Sequence, residues 1–176
     1  MDTTIALATK LGELLFEQKK TVTTAESCTG GGIAQAITEV AGASQWFNQG
    51  FVTYSNSAKH HTIKVNEETL EKYGAVSDKT VEEMAVGALS VADADIAVSV
   101  SGIAGPSGGS ADKPVGLVWF GIALRTRPST EQNQATALDV KSFKHVFTGG
   151  RSEVREKTVN TALEKLAQCL VNQSSS

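Results

Sequence analysis

Residues 116–124, Gly-Leu-Val-Trp-Phe-Gly-Ile-Ala-Leu, put only apolar and aromatic side chains on both alternating faces of an extended chain, and this stretch constrains the fold most. A strand that is apolar on both sides must be covered on both sides. Two more strands can be read beside it. In residues 96–101, Ile96, Val98 and Val100 alternate with Ala97, Ser99 and Ser101, and residues 21–25, Thr-Val-Thr-Thr-Ala, are mostly β-branched. Helical periods separate them. Leu7, Leu11, Leu14 and Leu15 predict a helix from residue 3 to about 18; Ile33, Ala34, Ile37 and Val40 predict a second. Val81, Met84, Ala85, Ala88, Leu89 and Ala92 predict a third, starting near Ser77, and Val159, Ala162, Leu163, Leu166 and Leu170 a terminal one. Strands and helices that alternate in this way predict an α/β fold, a three-layer α/β/α sandwich.

Residues 51–54, Phe-Val-Thr-Tyr, read as a further strand, joined to 21–25 through one helix and so able to run parallel to it. Residues 116–124 and 136–147 are close enough in the chain for a hairpin, which makes the sheet mixed. The chain of 176 residues suffices for one domain, here expected over residues 1–173 with 174–176 as a frayed tail.

Composition then narrows the function. Sixteen basic and 19 acidic residues leave a net charge of −3, which argues against nucleic acid or an anionic membrane as a general partner. No charged-then-apolar leader and no apolar run of about 18 residues is seen, so a cytoplasmic protein without a membrane partner is expected. Cys28 and Cys169 fit no ligand spacing, and the adjacent His60 and His61 diverge on any regular element, which predicts no metal and no cofactor. The charge is uneven: residues 66–95 hold eight acids and two lysines, whereas 141–157 hold five cations and two carboxylates.

Four features can carry chemistry. Glu26-Ser27-Cys28-Thr29-Gly30-Gly31 joins a strand to a helix, where unpaired amide groups and bare glycine backbone suit an anion or oxyanion; a tight capped turn accounts for it equally. It matches neither a phosphate-binding Walker loop, a dinucleotide fingerprint nor a Gly-x-Ser-x-Gly elbow. Tyr54 and Lys59 lie five residues apart across a strand end and a polar segment that can begin a helix. Ser101 to Gly109 carries four glycines directly after a strand, where α/β sheets place ligands, though a plain surface loop reads the same way. Arg151 follows Gly149-Gly150 at a helix start and can fork onto a phosphate, or belong to a solvated basic face.

Thr-Ala-Glu-Ser-Cys-Thr-Gly-Gly (24–31), Gly-Phe-Val-Thr-Tyr-Ser-Asn-x-Ala-Lys (50–59), Gly-Ala-Val-Ser (74–77), Ser-Gly-Ile-Ala-Gly-Pro-x-Gly-Gly (101–109) and Lys-Pro-Val-Gly (113–116) together resemble the CinA carboxy-terminal domain family over nearly the whole chain. For a chain that stands alone, the resemblance implies a nicotinamide mononucleotide amidohydrolase, which makes nicotinate mononucleotide and ammonia in pyridine nucleotide recycling. It implies Ser27, Tyr54 and Lys59 as the catalytic set, and a homodimer or larger homo-oligomer. On that reading Ser27 is the nucleophile, with neutral Lys59 as its base, directly or through Tyr54. Thr29, Gly30 and Gly31 are expected at the oxyanion; Gly102, Ala104, Gly105 and Arg151 are expected at the ribose phosphate. Two alternatives stand beside it: an amidase with Cys28 as nucleophile and Glu26 and Lys59 as partners, and a non-catalytic nucleotide-binding or regulatory module. The cluster Trp46-Phe47 with Phe51 reads as core or as interface.

Overall fold

The computed structural model describes residues 2–126 and 137–174. Its elements follow in the order α1 (Thr3–Gln18), β1 (Val22–Glu26), α2 (Gly32–Thr38), β2 (Phe47–Val52), α3 (Asn56–Ile63), α4 (Glu67–Tyr73), α5 (Asp78–Ala92), β3 (Ile96–Gly102), β4 (Leu117–Thr126), β5 (Ala137–Val146) and α6 (Arg151–Ser174). The expected α/β sandwich with a mixed sheet is what forms. The five strands lie in the order β2-β1-β3-β4-β5, with β2, β1 and β3 parallel and β4 and β5 antiparallel to their neighbours.

Strand alternation sorts the side chains between two layers. Val22, Val98, Val100, Phe120 and Ile122 join Leu11, Leu15, Ile33, Leu163 and Leu166 in one core, under α1, α2 and α6. On the other face Ala25 and Phe51 pack with Ile63, Leu70, Val81 and Met84 under α3, α4 and α5. Trp46 and Phe51 are buried in these cores, so that cluster is core rather than surface.

Three boundaries differ from expectation. The second strand runs from Phe47 to Val52 instead of 51–54, because Phe47 to Val52 pair with β1 and the chain turns away before Tyr54. Helix α4 gives little periodic signal, since Leu70 is its only buried residue. Ser174 closes α6 with its hydroxyl on the Leu170 carbonyl; Thr136 at the edge of the expected fifth strand, and Ser175 and Ser176 of the expected tail, lie outside the described residues.

The strand order fixes where a site can be. From β1 the chain passes to β2 on one side and returns to β3 on the other, so the flanking connections leave by opposite faces at the carboxyl end of β1, where α/β sheets open a crevice. Helix α3, on the rim of that crevice, is seated by a close backbone approach: a Cβ on Gly87 of α5 would lie 1.7 Å from the Ile63 carbonyl oxygen. Alanine at an ordinary helix position stabilises by about 1 kcal/mol relative to glycine. At Gly87 the sign reverses, and Gly87→Ala is expected to destabilise by about 1–3 kcal/mol through overpacking. Urea or thermal unfolding checks this, and an unchanged or raised midpoint contradicts the contact.

Candidate active site

The segment after β1 is organised by a buried carboxylate. Glu26 has no exposed surface, and its oxygens accept from Thr29 Oγ1 (2.6 Å), the Ile33 amide (2.8 Å) and the Ala34 amide (3.0 Å). Three donors compensate its burial and tie the strand end to the first turn of α2, which begins after Gly31 at φ +100°. Glu26 thus caps α2 and does not line the cavity that Ser27 opens into.

That cap decides which way the next two residues face. Ser27 donates its amide to the Val100 carbonyl (3.1 Å), continuing the parallel ladder by one residue, so its side chain shares the face of Ala25, toward α3 and α5. Cys28 packs in the α1/α2/α6 core and also reaches the lining of the cavity that Ser27 opens into. Burial pushes its thiol up to about 12, with Glu26 adding to the effect and Lys59 and Arg155 opposing it. A thiol of that kind is protonated at neutral pH and poorly nucleophilic, which weighs against Cys28 as the nucleophile.

Lys59 is fully buried on α3, and its ammonium nitrogen lies 3.0 Å from Ser27 Oγ, 2.9 Å from the Thr53 carbonyl oxygen and 3.2 Å from the Tyr54 carbonyl oxygen. The geometry follows from the chain path: residues 53 and 54 have left β2, and Ser55 caps α3 by accepting from the Ala58 amide, so the first turn of α3 carries Lys59 back over the strand end. Burial pulls the amine down to about 8, only partly opposed by Cys28. Near that pH a large fraction is neutral, as a general base requires.

Ser27 and Lys59 open into a cavity of about 280 Å³ lined also by Tyr54, Ala75, Val76, Ser101, Gly102, Ile103, Ala104, Gly105 and Arg151 among others. Its charged side chains are Lys59 and Arg151, with no carboxylate, so the cavity favours an anion. A larger groove of about 850 Å³ at the far end of the sheet, lined by Lys19, Lys20 and Asp95, holds none of these groups.

The expected residues are therefore brought together in part. Ser27, Lys59, Gly102, Ala104, Gly105 and Arg151 share the cavity. Tyr54 is present through an atom that its identity does not predict: its backbone carbonyl meets Lys59, whereas its phenol is exposed and accepts from Arg151 Nη2 at 3.3 Å. Arg151, at the first position of α6, also donates from Nη1 to the Gly105 carbonyl (2.9 Å), which positions the guanidinium at the cavity mouth. Thr29, Gly30 and Gly31 do not line the cavity. Thr29 Oγ1 is engaged by Glu26 and the Gly30 amide donates to the Ser27 carbonyl (3.0 Å). Among the described residues, the Ala104 and Gly105 amides and those of Cys28, Thr29 and Gly31 have no hydrogen-bond partner on another residue, so free backbone donors lie both in the loop after β3 and in the turn after Ser27. Sequence reasoning missed Ala75, Val76 and Ser101 as cavity residues; Ser101 opens the glycine-rich block and was legible there.

Among the described residues no three His, Cys, Asp or Glu side chains gather as a metal site, and no helix is long and apolar enough to cross a membrane. Alkylation with iodoacetamide at pH 7.5 in the folded state is expected to label the half-buried Cys169 first and leave Cys28 unmodified, as read by peptide mass spectrometry. Rapid labelling of Cys28 with loss of activity would revive it as nucleophile.

The family model described as the CinA C-terminal domain matches residues 4–170. A nicotinamide-nucleotide amidohydrolase PncC from Enterobacter agglomerans is 63% identical over 149 residues, 85% of this chain and 84% of that protein. The protein of the same name from Escherichia coli strain K12 is 49% identical over 162 residues, 92% of each chain. The crystal structure of competence/damage inducible protein CihA from Agrobacterium tumefaciens superposes with a TM-score of 0.82 at 43% identity, covering 97% of this chain and 96% of that one. With the motif blocks in place on this fold and the match running from Thr4 to Leu170, the chain belongs to the CinA C-terminal domain family.

Proposed function

We propose that this chain is a nicotinamide mononucleotide amidohydrolase, releasing ammonia and nicotinate mononucleotide through an acyl-enzyme on Ser27. The observation that carries the reading is the 3.0 Å approach of the buried Lys59 amine to Ser27 Oγ, in a cavity whose charged side chains are cationic. The substrate is supported by the Enterobacter agglomerans and Escherichia coli relatives, which are nicotinamide-nucleotide amidohydrolases by name.

The three acceptors around Lys59 support its role as a base. A neutral amine has two N–H donors and one lone pair. With the two hydrogens on the Thr53 and Tyr54 carbonyls, the lone pair is left facing Ser27 Oγ. Ser27 attacks the carboxamide carbon as its proton passes to Lys59 Nζ, and the tetrahedral oxyanion is received by the Ala104 and Gly105 amides. The C–N bond then breaks, its electron pair stays on nitrogen, and Lys59 returns the proton so that ammonia departs. Water repeats the sequence on the ester: Lys59 takes a proton, the acid is released and Ser27 regains its hydrogen. No relay through the Tyr54 phenol is needed, because Lys59 reaches Ser27 directly; phenol and Arg151 stand at the mouth for the ribose phosphate.

An ammonia-release assay on nicotinamide mononucleotide, run beside nicotinamide and NAD, is expected to show turnover of the mononucleotide foremost. Ser27→Ala should lower kcat at least about a hundredfold while leaving the fold intact. Tight binding of the mononucleotide without ammonia release would turn the reading to a binding module. Because the base is the neutral form of Lys59, kcat/KM should rise with pH through an inflection near 8 and level off above it. A profile flat between pH 6.5 and 9.5 would remove Lys59 from that role.

A further inference from the structure

Ser101 is 1% exposed and lines the cavity, yet its hydroxyl has no hydrogen-bond partner among the described residues. The hydroxyl is not one of the fully enclosed atoms without a partner, so it keeps an opening to the cavity, where a ligand can reach it. Packing does not require a hydroxyl there. Ser99, two residues earlier on the same face of β3, donates its hydroxyl to the Val81 carbonyl at 2.5 Å, and Ala97, two earlier again, fills its place with a methyl group. Alanine would meet the same steric need at 101. Thr24 Oγ1 and Thr53 Oγ1 lack partners as well, but neither residue lines the cavity and both are closed off from any ligand there.

The register places Ser101 beside the nucleophile. Ala25 pairs with Ser99 and Glu26 with Val100 across the parallel β1–β3 ladder, and the Ser27 amide continues it on the Val100 carbonyl. Ser27 and Ser101 are therefore neighbours on adjacent strands, about 4.8 Å apart in the pairing direction, and both face the α5 side. The Ala104 and Gly105 amides follow three and four residues after Ser101. A carboxamide carbon held against Ser27 Oγ therefore lies beside the Ser101 hydroxyl, on the strand next to the nucleophile.

We propose that Ser101 is the residue that recognises the carboxamide nitrogen: its Oγ accepts one N–H of the substrate amide and so holds the carbonyl carbon square to Ser27. This role rests on the amidohydrolase reading and adds its selectivity for an amide over other acyl groups. Ser101 makes no covalent bond and transfers no proton in the cycle.

The test compares kcat/KM on nicotinamide mononucleotide with that on the methyl ester of nicotinate mononucleotide, whose leaving group has no N–H to donate. Ser101→Ala is expected to lose about tenfold on the amide and less than about twofold on the ester, the loss of one neutral hydrogen bond. A merely structural effect would lower both together. Ser101→Cys, of similar volume and a weaker acceptor, replaces alanine in the same comparison if the alanine variant unfolds. Equal losses on the two substrates, or an unchanged rate on the amide, overturn the assignment of Ser101 alone. Absence of amide turnover by the wild-type chain overturns the amidohydrolase reading and this role with it.

Discussion

The amine of Lys59, buried beneath the carboxyl ends of three parallel strands, sets the terms for the rest of the molecule. An ammonium taken out of water must be surrounded by acceptors, and it meets three: Ser27 Oγ and the carbonyls of Thr53 and Tyr54. Two of these belong to a backbone that has just left the sheet, so β2 must end at Val52 and α3 must turn back at once. Helix α3 has to sit close enough for a lysine to reach, which the bare backbone of Gly87 against Ile63 allows. The arrangement has a thermodynamic cost. The unfolded chain keeps the proton up to about 10.5 while the folded one releases it near 8, so between those values the unfolded state binds more protons and stability rises with pH. At pH 7 the penalty is on the order of 3 kcal/mol. A fold built for stability alone would place a methionine there; the amine is accounted for by its position against Ser27.

The parts of the fold that were legible are those where burial leaves a periodic trace. Strands β3 and β4 sit in the middle of the sheet and must be apolar on both faces, so they stand out in the sequence. Strand β2 is an edge strand whose Asn48, Gln49 and Gly50 are exposed, and polar residues there cost nothing, which hid its first half. Helix α4 buries Leu70 alone and leaves no period to read.

The site was legible to a different depth. Ser27, Lys59 and Arg151 are side chains with chemical identity; the motif blocks name the first two, and Gly149-Gly150 at a helix start points to the third. The partners that hold the Lys59 amine beside Ser27 are carbonyl oxygens, which any residue supplies, and so Tyr54 stands out in the sequence for its phenol although its carbonyl makes the contact. The glycine-rich turn carries a second, structural job. Bare backbone at a helix start looks like a ligand cradle, and here Glu26 reaches seven and eight residues ahead to the Ile33 and Ala34 amides and takes two of its donors. Side-chain capping across that distance has no signature in spacing alone.

The charges give the cavity a direction. Net charge over the chain is −3, yet the cavity has a lysine at its floor, an arginine at its mouth and no acid between. Arg151 is fixed by the Gly105 carbonyl and the Tyr54 hydroxyl, so one guanidinium joins the start of α6, the loop after β3 and the segment between β2 and α3. On the proposed reading an anionic group is drawn to this exposed end, where hydration and a forked donor suit a phosphate, while the uncharged carboxamide passes to the dry end. Reversing the substrate would bury the phosphate dianion beside Lys59, hold the amine protonated and remove the base. The gradient from solvated Arg151 to desolvated Lys59 thereby selects orientation as well as charge, with no acidic side chain needed to do it.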